Sequence, residues 1–391
     1  MPGGLLTLGL GRKCSTGYNC WQRPDSLWRD LVAGGWLAIG KVVVLGGGRP
    51  MCVCRLIRLV LLPTLALCVL VLAGCGNSES SGGGTGAGGS GDDLYRVVAT
   101  VGMAADLVRR VGGDRVEVQQ LMGSGVDPHL YKPTRDDIRD LMSGDLIVSV
   151  GLLLEGRLEE TISRLSERQR VLVLGSSIPA ELLLVDEEGS GGHPDPHVWM
   201  DASLWSRSIP AIVRALSEGQ PEYAEEFVAR GAELLSELSA LHEYGVECLQ
   251  SVPVERRVLV TSHDAFRYFG RAYGVEVLGV QGISTESEAG LLRVNELVDL
   301  LVSRGVSAVF SETSVSQKNM QALIEGAASR GRQVVLGGEL FSDAMGESGT
   351  AAGTYTGMLE HNLTTVTRAL GGRVPDGGFA VWQKAREATR E

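Results

Sequence analysis

The residues 222–250 carry the longest helical pattern in the chain. Apolar or small residues recur there at Ala224, Phe227, Val228, Gly231, Leu234, Leu235, Leu238, Leu241, Gly245, Cys248 and Leu249, one stripe at helical period. Unbroken, such a helix is roughly 44 Å long at about 1.5 Å per residue, enough to cross a whole domain. Gly231 and Gly245 each cost about 1 kcal/mol relative to alanine in a helix, which makes either one a candidate bend. Cys248 falls on the stripe and reads as a buried, inert thiol. His242, close to the stripe, reads as structural.

On both sides of this pattern, short apolar runs alternate with helical ones. Before it, strands are expected at 95–100, 116–122, 146–150 and 171–174. Helices are expected at 103–111, from an N-cap at Thr134 to about 142, at 155–165 and at 202–216. After it, strands at 257–262, 275–280, 306–311 and 333–337 alternate with helices at 263–272, 287–303, 317–330 and 355–370. Alternation at this spacing means parallel sheet. The predicted fold class is therefore α/β: two parallel-sheet lobes, 95–218 and 252–391, joined by one long helix within 219–251. A chain of 391 residues, 44% hydrophobic and 21% charged, has the material for both cores. Its formal net charge of −11 argues against nucleic acid and suits cation handling.

The chain ahead of the first lobe reads as an address. Arg55 and Arg58 precede an apolar run over 59–73, which ends in Leu72-Ala73-Gly74-Cys75. A short basic stretch, a mid-length apolar stretch and small residues at its end describe an export signal, here 51–75. Residues 76–94, almost wholly Gly, Ser, Asn, Thr and acidic residues, read as a flexible tether reaching roughly 20–25 Å. Met51 stands where such a signal should begin, so 1–50 is taken as a non-native extension from a mis-called start. Six of the seven cysteines lie at or before residue 75, so the lobes hold no intrachain disulfide framework.

Chemistry concentrates in a repeated tripeptide. Asp127-Pro128-His129 recurs as Asp195-Pro196-His197, in a chain with only six histidines. Each proline stiffens the backbone just before an imidazole and holds the residue ahead of it extended, which suits a preorganised metal site. Asp-Pro with an incidental histidine is also ordinary turn chemistry. His129 follows the second strand of the first lobe, and His263 follows the first strand of the second lobe. Ligands of open α/β sheets bind beyond the carboxyl ends of strands, so both stand where a site should be. His197 lies in the last loop of lobe one and Asp343 after the last strand of lobe two. Taken singly, His263 could be a helix-start histidine and Asp343 a loop residue. His193 reads as an exposed loop histidine and His361 as structural.

Five segments carry a family resemblance: Asp127 to Thr134 (DPHLYKPT), Asp195 to Asp201 (DPHVWMD), Thr261 to Phe266 (TSHDAF), Gln281 to Thr285 (QGIST) and Gly337 to Gly346 (GGELFSDAMG). In this order they resemble the TroA-like, or cluster A-I, metal-binding lipoproteins of bacterial ABC importers. The similarity runs from about residue 95 to residue 371. It implies a C-clamp, two lobes on a rigid linking helix that close only slightly, with His129, His197, His263 and Asp343 as metal ligands. Leu-Ala-Gly-Cys resembles the bacterial lipobox, which implies lipidation at Cys75 and an extracytoplasmic, membrane-anchored location.

Three imidazoles and one carboxylate suit zinc, and the intrinsic affinity order puts zinc above manganese. A bidentate Asp343 would accept manganese. The acidic loop at 186–194 holds a single histidine where dedicated zinc members carry a histidine-rich one, and the later motifs sit closer to the manganese-and-zinc branch. The expected cargo is thus Zn²⁺ or Mn²⁺. The expected function is non-enzymatic: capture in the cleft, then delivery by a monomer to a membrane permease driven by a separate ATPase, since no Walker-type glycine loop occurs. Two rivals stand beside it, an exported zinc hydrolase and an adhesion lipoprotein on the same fold. The first is disfavoured by a fourth protein ligand and by the absence of His-Glu-x-x-His.

Overall fold

The computed structural model describes residues 94–185 and 192–390. The 1–50 extension, the export signal with Cys75, residues 76–93 of the tether and residues 186–191 of the acidic loop lie outside the described residues.

In the first half, β1 (Tyr95–Ala99), α1 (Gly102–Gly112), β2 (Val116–Gln120), α2 (Arg135–Ser143), β3 (Leu146–Ser149), α3 (Arg157–Leu165) and β4 (Val171–Val173) follow one another. The four strands form one parallel sheet in the order β2-β1-β3-β4. Val97, Val98 and Ala99 of β1 and Ile147 and Val148 of β3 are fully buried, the signature of a parallel sheet covered on both faces. Thr134 caps α2 as expected. Its hydroxyl accepts from the Asp137 N–H at 3.2 Å while the Asp137 carboxylate returns to the Thr134 N–H at 2.6 Å. The helix expected over 202–216 is split into α4 (Ala202–Trp205) and α5 (Ile209–Gly219), because Pro210 sits in the first turn of the second piece and starts it afresh.

The long pattern is one unbroken helix, α6 (Ala224–Gln250). Neither glycine interrupts it. Both are points of close approach: a Cβ at Gly231 would lie 2.5 Å from Val213 of α5, and one at Gly245 would lie 2.6 Å from Tyr273 and 2.8 Å from Leu363. Phe227, Leu234, Leu238, Leu241 and Tyr244 of α6 are buried in a core cluster that runs from Val97 to Trp382, so the helix is a spine shared by both halves. Gly245→Ala is accordingly expected to destabilise. Helix propensity favours alanine by about 1 kcal/mol, but forcing a methyl between two fully packed side chains costs about 1–3 kcal/mol. A lower urea midpoint checks this, and a raised midpoint would contradict it.

In the second half come β5 (Val258–Thr261), α7 (Arg267–Tyr273), β6 (Glu276–Gly279), α8 (Leu291–Ser303), β7 (Ala308–Glu312), α9 (Lys318–Ser329), β8 (Val335–Leu340) and α10 (Tyr355–Ala369). The strands pair in parallel as β5-β6 and β7-β8, with β5 beside β7, rather than as one continuous ladder. The helix expected from residue 263 begins only at Arg267. The residues before it are held otherwise, with the His263 N–H donating to Glu312 at 2.9 Å and the Thr261 hydroxyl donating to the His263 carbonyl at 2.8 Å. A last helix not expected from the sequence, α11 (Gly378–Arg390), sets Phe379 and Trp382 against Tyr244 of α6, with ring centroids 5.6 and 5.5 Å away.

Candidate metal centre

Each half delivers two side chains to one point. His129 stands in the loop after β2. There the Asp127 carboxylate accepts the His129 N–H at 2.9 Å, an Asx turn stiffened by Pro128. The second Asp-Pro-His forms the same turn, with the Asp195 carboxylate accepting the His197 N–H at 3.0 Å. Asp195 also meets the His197 ring at Nδ1, 2.8 Å away. His263 leaves β5, and its Nδ1 lies 2.5 Å from Glu312 at the end of β7. Asp343 follows β8, where Asn362 of α10 brackets Phe341 through both backbone groups and the Trp199 indole N–H donates to the Ser342 carbonyl at 2.8 Å.

These anchors bring His129, His197, His263 and Asp343 together, with one candidate ligand atom from each lying within 4.8 Å of the others. His197 Nε2 is 3.3 Å from His129 Nε2 and 3.4 Å from His263 Nε2. Asp343 turns one oxygen to His197 at 3.3 Å and the other to His263 at 3.2 Å, while His129 stands 4.0 Å off. Tetrahedral coordination with bonds of about 2.0–2.1 Å has edges of about 3.3–3.4 Å, so the three edges that meet at His197 already have the dimensions of a small divalent ion. His197 and His263 are fully buried, Asp343 nearly so, and His129 is 5% exposed, which puts His129 nearest to solvent.

The electrostatics of the cluster are strained without a cation. Both Asp343 oxygens are buried and make no hydrogen bond of acceptable geometry. Nδ1 of His197 is turned to Asp195 and Nδ1 of His263 to Glu312, so both rings present Nε2 to Asp343 and to one another. In this arrangement protons do part of a cation's work. Burial opposes charge on His197, but the Asp195 and Asp343 carboxylates outweigh it and lift the ring to about 9. His263 is likewise raised well above its usual value, against burial, by Asp343 and Glu312. Burial would raise the Asp343 carboxyl, yet His263 and His197 hold it well below the carboxylate range. His129, with burial dominant, falls to about 4.

The remaining histidines and the lobe cysteine stay out of the cluster. His193 is exposed on its loop. His242 lies 3.6 Å from Asp201 and packs on the Tyr273 ring. The His361 ring nitrogen is 2.9 Å from the Glu339 carbonyl, and the ring meets Phe341 edge-on. Cys248 is fully buried, and burial pushes its thiol up to about 11. Sequence reasoning missed Asp195 and Glu312 as orienting carboxylates. The aspartate two residues before each histidine was a usable signal, whereas Glu312 reaches His263 only through the fold.

A two-lobed α/β chain that collects three imidazoles and a carboxylate in its cleft has the architecture of the periplasmic metal-binding class. Residues 97–369 match the ZnuA family, zinc-uptake complex component A, periplasmic, and the chain belongs to that family. It is 42% identical over 299 residues to the manganese-binding lipoprotein MntA of Bacillus subtilis, covering 76% of this chain and 95% of that one. It is 45% identical over 274 residues to the zinc-binding protein TroA of Treponema pallidum, covering 70% and 88%. The solved structure of periplasmic zinc-binding TroA from Treponema pallidum superposes with a TM-score of 0.69 at 44% identity, over 72% of this chain and 100% of that one.

Proposed function

We propose that this protein is the extracytoplasmic receptor of a metal ABC importer and binds a divalent transition metal through His129, His197, His263 and Asp343. The observation that carries this is the buried Asp343 carboxylate, whose two oxygens are faced by the Nε2 atoms of three imidazoles. A desolvated carboxylate in that position needs a cation. Zn²⁺ fits the near-tetrahedral edges, and Mn²⁺ fits the two Asp343 oxygens that both turn inward; relatives named for each metal support both readings. The metal is cargo, and four converging protein ligands leave no position for a reactive water, so the role is capture rather than catalysis. In this reading lobes 95–218 and 252–391 hold the ion across the 219–251 link. Lipidation at Cys75 tethers the protein to the outer face of the membrane, and the loaded monomer docks on a permease coupled to a cytoplasmic ATPase.

The test is metal content and Zn²⁺/Mn²⁺ competition on protein beginning at residue 76, with His263→Ala in parallel. One tightly held ion in the wild type, lost in the variant, is expected. Zinc that manganese cannot displace identifies a zinc receptor, and comparable retention of manganese identifies a receptor loaded by supply. Absence of any bound ion, or full retention in His263→Ala, would overturn the site.

A further inference from the structure

The cage is asymmetric. Buried carboxylates reach the His197 and His263 rings, and the indole of Trp199 braces the chain at Ser342 beside Asp343. His129 has no such support, since among the described residues no carboxylate oxygen but that of Asp343 comes within 4.0 Å of its ring nitrogens. It rides on a segment whose neighbours Gly123, Ser124, Gly125, Leu130 and Lys132 are exposed. Among the described residues, one hydrogen bond ties residues 123–134 to the second half: the Thr285 hydroxyl, in the loop after β6, donates to Asp127 Oδ2 at 2.6 Å. The other oxygen of that carboxylate accepts the His129 N–H. Thr285 is 8% exposed, so the bond is sheltered from competing water.

Resting on the receptor reading above, we propose that Thr285 is a positioning residue that latches His129 across the cleft and thereby sets the rate of metal release. His197, His263 and Asp343 form the standing part of the cage, and His129 is the ligand that arrives last and leaves first. Its carrier Asp127 spans both halves with a single carboxylate: one oxygen fixes the imidazole's backbone and the other grips Thr285. Breaking that grip frees the His129 turn without touching a ligand atom. The route in and out of the site opens on the His129 side, where the cage shows its only solvent exposure among the four side chains beyond 1%.

The experiment is chelator-driven release of Zn²⁺ from the loaded protein, followed by stopped-flow absorbance of the chelator complex. Thr285→Val keeps the shape and removes the donor, and release about 10- to 100-fold faster is expected, the range over which outer-shell partners tune metal sites. Thr285→Ser should restore the wild-type rate. In a His129→Ala background, Thr285→Val should add nothing. Release from Thr285→Val at the wild-type rate, or an equal acceleration with and without His129, overturns the latch while leaving the receptor reading intact. Wild-type protein that never holds metal overturns the receptor reading itself, and the latch with it.

Discussion

Asp343→Ala is expected to lower metal affinity by roughly 10²- to 10³-fold or more, whichever ion is the cargo. The carboxylate is the one anionic group among the four converging side chains, it is 1% exposed, and both its oxygens face the imidazoles. Removing one partner of a buried charge pair costs about 3–5 kcal/mol, and about 1.4 kcal/mol is a factor of ten in affinity. Asp343→Asn separates charge from shape: it keeps the volume and one carbonyl oxygen, and it should lose nearly as much. Neither variant should unfold the metal-free chain. The Ser342 carbonyl still receives the Trp199 indole, and Asn362 still brackets Phe341. Metal titration checks the first claim and circular dichroism the second. Wild-type affinity in Asp343→Ala would remove the carboxylate from the site. Hydrolytic turnover by the wild type that disappears in the variant would revive the hydrolase reading.

Much of this architecture was legible because it rests on local pattern. Parallel strands buried on both faces read as apolar runs, and the α6 stripe follows from helical period alone. Asp-Pro-His announces itself because an Asx turn and a proline act within three residues. What was not legible is non-local. Glu312 lies 49 residues from His263 in sequence, and Trp199 is 143 residues from Ser342; only the closed fold joins them. The packing role of the α6 glycines is hidden for the same reason. Their helix propensity is a local property, while the approach of Val213 or Leu363 is not. Helix α7 starts late because His263 is drawn toward the site and its backbone N–H is given to Glu312, which shows function overriding a local helix signal.

Metal affinity should fall steeply with acid, about 10- to 100-fold per pH unit between pH 8 and 6. The sign follows from what the ion must displace. Imidazoles bind metal only when neutral, and each proton released on binding contributes about a factor of ten per pH unit. In the metal-free cage His197 is raised to about 9 and His263 is raised well above its usual value, so at neutral pH the ion competes with protons for both rings. The two rings stand 3.4 Å apart and share Asp343, so their protons leave as one coupled cluster, and the slope lies between one and two protons. His129, lowered to about 4, is already neutral and adds nothing until the pH approaches that value, where the fall should steepen. Raising the pH above about 9 removes the competition on His197 and flattens the curve from that side. Calorimetry in buffers of different ionisation enthalpy reads the proton count directly, and between one and two protons released per ion at pH 7 is the expected result. An affinity unchanged from pH 8 to 7, with no proton released, would mean that the empty cage already holds neutral rings around a bare carboxylate. In that case Asp195 and Glu312 would be orienting the imidazoles without charging them, and the fall in affinity would be confined to pH below about 6.5, where an ordinary histidine takes up its proton.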